Sequence, residues 1–390
     1  MRFFHISDLH IGKQLHERSL LEDQRYILSR VVDRVNEYKP DAVIIAGDVY
    51  DKSTPSAEAV TVFDDFITAL KAAGVTVMLI SGNHDSAERL SFGSRIFEKN
   101  SVYFAGMPPR TPDDHIKKVT LNDEWGEIDF WLLPFVKPGY VRGVFADTEY
   151  ENAVDSYDSA VKALIMRENI DYSRRNVLVS HQLYTNGGAQ PYRCDSETIN
   201  IGGIDNIDIQ CVENFDYIAL GHIHRPQCVK NENARYCGTL LQYSVSEEND
   251  RKVLTMVGLG AKGTAPKIQE INLTPLRNVR QIKGKFADII EQYEKTSDKD
   301  TLNDYVSVVL TDESEIFNAG RKLADIFPNI LTVSVQNSRT GNAAEELAEE
   351  CRVLTPIEEF KEFFRKMQGR DLTQKEEQAV EEIINEVNGG

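Results

Sequence analysis

A chain of 390 residues with 41% apolar side chains is long enough, at roughly 150 residues per domain, to build two or three cores. Its formal net charge of −18 argues against a protein that grips nucleic acid through a broad basic surface of its own, although the last 49 residues, 342–390, hold −7 of that total. No apolar run approaches the ~20 residues that cross a bilayer, and the amino terminus enters a strand-like segment without a basic stretch or cleavage site. The five cysteines form no C-x-x-C pair, so a cytoplasmic protein with reduced thiols is expected.

The chain opens with the apolar run Phe3-Phe4-His5-Ile6, followed by Asp8-Leu9-His10. Leu20, Leu21, Ile27, Leu28, Val31, Val32, Val35 and Tyr38 then recur at helical spacing. A second run, Ala42 to Gly47, stops at Asp48; a second helix is expected from Ser56 to Ala73, with Gly74 as its stop. The strand Val75 to Ser81 ends in Gly82-Asn83-His84-Asp85. Further runs, Asn176 to Ser180 and Asp216 to Gly221, end in His181 and in His222-Ile223-His224. This βαβα order predicts parallel strands buried on both faces. Val102 to Ala105, Ile128 to Leu133, Ala234 to Gly238 and Lys252 to Gly258 read as a second sheet packed on the first. The fold class expected is an α/β sandwich of two sheets flanked by helices, over residues 1–265.

Gly260 to Pro266 is a turn-rich break. Beyond it, residues 272–336 read as a small α/β domain: strand Val279 to Ile282, helix Phe286 to Tyr293, strand Tyr305 to Leu310, helix Glu315 to Ile326 and strand Leu331 to Val335. A polar linker from Gln336 to Asn342 begins the last segment, 337–390, where Thr355-Pro356-Ile357-Glu358 and Thr373-Gln374-Lys375-Glu376 are capping boxes for two helices. Their apolar stripes, Ile357, Phe360, Phe363, Phe364 and Met367, then Val380, Ile383, Ile384 and Val387, suit docking into a partner's groove.

The chemistry lies at the five strand ends. A lone histidine or a G-D dipeptide is ordinarily a surface or turn feature. Here five of the eight histidines follow buried strand patterns, alongside Asp8, Asp48 and Asn83. Asp8 and His10, two apart in an extended segment, can point the same way, as can His222 and His224. Together with Asp48, Asn83 and His181 they are enough for two metals sharing one bridging ligand. His5 reads as a core residue, and His115 lies in a polar loop with no visible partner.

The ordered series D-x-H, G-D, G-N-H-D, H and G-H-x-H resembles the metallophosphoesterases of the calcineurin-like superfamily. Ser7-Asp8-Leu9-His10-Ile11-Gly12, Gly82 to Leu90, and Asp195-Ser196-Glu197 to Gly202-Gly203 are similar to the nuclease subunits of bacterial complexes that pair such an enzyme with a coiled-coil ATPase. The resemblance implies Asp8, His10, Asp48 and His224 on one metal and Asp48, Asn83, His181 and His222 on the other, with Asp48 bridging and Mn²⁺ as the ion. It further implies that His84 and Asp85 are catalytic, His84 close to the scissile phosphate and Asp85 orienting it; the plainer reading of Asp85 is a cap on the next helix. Expected activities are 3′-5′ exonuclease on duplex ends and endonuclease on single strands and hairpins. Expected partners are DNA, held under the small domain, the ATPase, clasped by the tail helices, and a second copy of this chain within a heterotetramer. Gly258 to Thr264 lacks the lysine and hydroxyl ending of a phosphate loop, so ATP use belongs to another chain. Two other readings stay open: a phosphodiesterase for a small phosphoester, and a metal-stabilised scaffold without catalysis.

Overall fold

The computed structural model describes residues 1–146, 148, 153–197, 205–296, 298–314 and 316–337, with a few positions between 360 and 380. The chain forms two compact units, one of residues 1–282, 296–308 and 323–332, the other of 283–295, 309–322 and 333–390.

The larger unit contains two six-stranded sheets. In the first, Arg2–Ile6, Ala42–Ala46, Thr76–Ile80 and Val102–Ala105 pair in parallel and in that order. Val253–Gly258 runs antiparallel on the far side of Arg2–Ile6, and Lys267–Asn272 lies beyond it. In the second, the parallel strands Gly126–Leu133, Arg175–Ser180, Tyr217–Leu220 and Ala234–Tyr236 are flanked by antiparallel Lys117–Asp123 and Gln227–Cys228.

Side chains alternate across each strand, so every central strand feeds two cores. Phe3, Ile44 and Met78 from the first sheet meet Phe130, Val177 and Tyr217 from the second. Phe4, Val43, Ile45 and Leu79 face the other way, onto Ile27, Val31, Phe63 and Phe66 of the helices Leu21–Tyr38 and Ala57–Ala72. On the outside of the second sheet, Leu178 and Ile218 share a core with Val161 and Leu164 of the helix Tyr157–Arg167. The layers are helix, sheet, sheet, helix, which agrees with the expected sandwich.

The membership of the sheets needs correction. Val102–Ala105 and Val253–Gly258 belong to the first sheet, because they pair with Thr76–Ile80 and Arg2–Ile6; an apolar run does not reveal which neighbour it will bond. The helix at 157–167 and the strands at 117–123 and 267–272 escaped the sequence reading. Helix Ala57–Ala72 stops before Gly74, as expected, and that glycine takes a positive φ of 79°; Ser56 stands outside the helix as its N-cap, its hydroxyl accepting from the Ala59 N–H.

Residues 279–335 supply a three-stranded sheet in the order Val279–Gly284, Tyr305–Leu310, Ile330–Val335. The helices Phe286–Glu294, Lys299–Asn303 and Ala319–Ile326 accompany it; the third begins at Ala319 rather than near Glu315. Most of the two tail helices lies outside the described residues. At Thr373, the reciprocal bonds of a capping box are present: its N–H donates to Glu376 at 2.8 Å and its hydroxyl accepts from the Glu376 N–H at 3.4 Å. No helix among the described residues is long and apolar enough to cross a membrane.

Ile44 is fully buried between the sheets. Ile44→Ala is expected to lower unfolding free energy by about 2–5 kcal/mol, measurable by chemical denaturation.

Candidate metal centre

The ligand-type residues sit just past the carboxyl ends of five parallel strands, three neighbours in the first sheet and two in the second. The turns after Ile6 and Ala46 are laced together: Asp8 N–H donates to the Gly47 carbonyl at 3.0 Å, His10 to Asp48 at 3.0 Å and Ile11 to Val49 at 2.9 Å. Asp8, His10, Asp48 and His222 all take positive φ, at 52°, 44°, 49° and 90°. Asp8 and His10, expected to share a face of an extended segment, are instead aimed by left-handed turns. Such residues cost on the order of 1–3 kcal/mol each, and the surrounding bonds must sustain that strain. Space is equally tight. A Cβ on Gly82 would lie 2.1 Å from Asp48 Oδ1, and one on Gly221 would lie 2.0 Å from the Ala46 carbonyl oxygen and 2.6 Å from His181 Nδ1.

All seven expected ligand residues are brought together. His10 Nε2 is 3.2 Å from His224 Nε2 and 4.0 Å from Asp8 Oδ1. Asn83 Oδ1 is 3.1 Å from both His181 Nε2 and His222 Nδ1. Asp48 Oδ2 stands between the two groups, 3.7 Å from His10 Nε2 and 3.2 Å from His181 Nε2. Nitrogen and oxygen donors at about 2.1 Å from a common cation lie roughly 3 Å apart, so this spacing fits divalent-ion ligation. Asp8, His10 and His224 form one buried metal-capable group, and Asp8, Asp48 and His181 another.

Hydrogen bonds orient these rings. His181 Nδ1 lies 2.7 Å from the Ala46 carbonyl, which only accepts, so Nδ1 keeps its proton and Nε2 is the atom turned to the centre. Asp8 accepts from the His222 N–H at 3.0 and 3.1 Å, and Asp48 Oδ1 accepts from the His84 N–H at 2.9 Å.

Electrostatics sharpen the picture. Burial pushes the Asp48 carboxyl up, but the His181, His10 and His84 rings outweigh it and hold the group well below the usual carboxylate range. His181 is the counterpart: burial lowers it, and Asp48, with Asp8 behind it, raises it to about 9. Burial and the His181 charge lower His222 to about 3, and burial takes His10 well below its ordinary value. Asp8 is raised by burial. Without a cation, Asp48 and His181 form an ion pair beside the neutral rings of His10 and His222.

His84 has its side chain 26% exposed, unlike the buried rings of His10, His181 and His224, with Nε2 4.0 Å from Asp48 Oδ2. Its Nδ1 donates to the Asp51 carbonyl at 3.0 Å. Asp85 takes neither expected part. Its carboxylate accepts three main-chain N–H groups, from Gly82, Val49 and Tyr50 at 2.9, 3.1 and 2.9 Å, and Ser86 caps the following helix. Burial, and then Asp48, raise Asp85 to about 6. His5 is a core residue, its Nδ1 3.0 Å from the Tyr217 hydroxyl, whereas His115 has a partner after all, Glu168 at 3.1 Å. Sequence reasoning also missed Glu247, fully buried beside His224. Ser196 and Glu197 stood out only as part of a resembling segment, with no role attached.

A two-sheet α/β sandwich with this centre at its strand ends defines the class of metal-dependent phosphoesterases. The family described as Calcineurin-like phosphoesterase matches residues 1–226, and the Type 5 capsule protein repressor C-terminal domain matches residues 275–368. The SbcD component of the nuclease SbcCD from Staphylococcus epidermidis is 32% identical over 390 residues, covering 99% of this chain and 98% of the relative. That of Staphylococcus saprophyticus is 31% identical over 389 residues, covering 98% of each. Among solved structures, a dimetal phosphatase from Danio rerio aligns with a TM-score of 0.41 at 13% identity, over 71% of this chain and 98% of that one. The chain belongs to the SbcD family of SbcCD nuclease components, within the calcineurin-like phosphoesterases. It is a metal-dependent hydrolase of phosphodiester bonds.

A cation entering this centre must displace the His181 proton. Divalent-metal affinity is therefore expected to rise with pH up to about 9, with proton uptake by the buffer on binding. Isothermal titration in buffers of different ionisation enthalpy reads both effects; a pH-independent affinity below that value would contradict the protonated state.

Proposed function

We propose that the chain is the Mn²⁺-dependent nuclease component of an SbcCD-type complex. Asp8, His10, Asp48 and His224 hold one ion, Asp48, Asn83, His181 and His222 hold the other, and Asp48 bridges. The observation that carries this reading is the position of Asp48 Oδ2 within 3.7 Å of a histidine from each group. Mixed imidazole and carboxylate donors admit Mn²⁺, Fe or Zn²⁺ more readily than Mg²⁺, which prefers all-oxygen surroundings, and the family resemblance selects Mn²⁺ among them. When bound, such a pair of ions neutralises a phosphodiester and makes water nucleophilic at neutral pH.

The protein's own groups do the remaining work. The bond to the Asp51 carbonyl fixes the His84 tautomer with the proton on Nδ1, so Nε2 is the free atom. When Nε2 takes up a second ring proton, the imidazolium can pass it to the leaving oxygen or donate a hydrogen bond to developing charge. Asp85 supports this arrangement indirectly, by tying the Gly82 turn to the main chain of Val49 and Tyr50.

The substrate reading is DNA, cut by 3′-5′ exonuclease action on duplex ends and by endonuclease action on single strands and hairpins, in repair and recombination in the cytoplasm. Full-length similarity to relatives that carry the SbcCD nuclease name supports it. The same similarity supports an SbcC-type coiled-coil ATPase as partner, gripped by the tail helices, with two copies of this chain in a heterotetramer and residues 272–336 capping the DNA.

End-labelled duplex incubated with Mn²⁺, with and without the ATPase, beside a bis-phosphate ester, tests the substrate; cleavage confined to the ester would remove the DNA reading. His84→Ala is expected to lower cleavage by about 10²–10⁴-fold while both metals remain bound. Asp48→Ala is expected to lose the metals, measured by elemental analysis after dialysis. Truncation after residue 340 should preserve cleavage of simple substrates and abolish co-purification with the ATPase.

A further inference from the structure

The N–H, carbonyl and Nδ1 of His224 all bond to groups outside the metal centre. Its N–H donates to Glu197 Oε1 at 2.7 Å. Its carbonyl accepts from the Thr239 N–H at 3.0 Å and from Lys252 Nζ at 3.0 Å. Its Nδ1 lies 2.7 Å from the Ser196 hydroxyl. Only Nε2 is left for the metal centre. His10, the ring facing it across 3.2 Å, differs: its buried Nδ1 makes no hydrogen bond.

The Ser196 hydroxyl has one hydrogen, which it donates to Glu247 Oε1 at 2.6 Å. It must therefore accept from His224, whose proton then resides on Nδ1. Glu247 is in turn held rigidly: it is fully buried, and accepts from the Ser244 hydroxyl at 2.9 Å and from Lys252 Nζ at 2.5 Å. The stretch carrying Ser196 is fastened to the same turn, with the Asp195 N–H donating to Ser246 Oγ at 3.1 Å and Cys194 Sγ 3.4 Å from Asp250 Oδ2. A buried carboxylate that accepts a serine hydroxyl this way decides which histidine nitrogen keeps a lone pair. Without it, the hydroxyl can rotate and donate to Nδ1, which moves the ring proton to Nε2 and blocks ligation.

We propose that Glu247 and Ser196 form a positioning relay that locks the His224 ring in its metal-binding tautomer, while Glu197, next in the chain, fixes the His224 backbone. This inference rests on His224 being a ligand, and gives the Asp195-Ser196-Glu197 segment a physical role. Ser196 and Glu247 both act through His224.

The test uses the full chain, stripped of metal and titrated with Mn²⁺ by calorimetry. Ser196→Ala is expected to weaken one of the two binding steps by about 10–100-fold, to leave the other unchanged, and to leave the thermal midpoint of the metal-free protein unchanged. Ser196→Thr, which keeps the hydroxyl, should restore the step. Glu247→Gln should weaken the same step, since its amide can present an acceptor to Ser196 or to Lys252 but not to both. Wild-type affinity for both ions in Ser196→Ala would overturn the relay, as would equal weakening of both steps with a lowered midpoint, which marks a merely structural role. His224→Ala separates the relay from its premise. If that variant still takes two ions with unchanged affinity, the ligand assignment fails and the relay with it; if it loses one step while Ser196→Ala does not, the relay alone fails.

Discussion

The centre turns on one carboxylate. Asp48 is placed by the end of a fully buried strand, forced into a left-handed turn, and pressed by Gly82 so closely that no side chain fits at that glycine. One of its oxygens takes the His84 N–H, and the other stands between a histidine of the first sheet and one of the second. Because the two sheets contribute to a single charge balance there, their packing and the chemistry cannot be separated.

Burial makes that balance steep. In a site this dry, a carboxylate without a partner is expensive, which explains why Asp48 leans on three imidazoles and why His181 holds a proton far above its ordinary range. Divalent metal would relieve the crowding of carboxylates that now depends on protons. The strained turns at Asp8, His10 and Asp48 have the same explanation: they are tolerable because main-chain bonds lace the loops together, and they hold donor atoms at ligand spacing before any ion arrives.

Around the donors lies a shell of groups whose work is orientation. Ala46 sets the His181 ring, Asp51 the tautomer of His84, and Ser196 that of His224. Asp85 belongs to this shell too, bonded to three main-chain N–H groups rather than to the His84 ring. Each of these contacts joins segments that only the fold brings together, so no local spacing announces them.

Residue order alone was sufficient to place the central strands and what stands at their ends. Strands buried on both faces must be uninterrupted runs of Val, Ile and Leu, and polar residues directly after Ile6, Ala46, Ile80, Ser180 and Leu220 have only the strand ends to occupy. That was enough to group Asp8, His10, Asp48, Asn83, His181, His222 and His224. Folding in three dimensions was needed to assign Val102–Ala105 and Val253–Gly258 to their sheet, and to show that left-handed turns rather than strand alternation aim Asp8 and His10. It was needed equally to find that Asp85 serves the backbone, that His115 pairs with Glu168, and that Glu247 stands behind His224. Strand partnership and hydrogen bonding depend on which segments meet in space. A buried glutamate reads in the sequence like any surface charge until the fold supplies the lysine and serine that neutralise it.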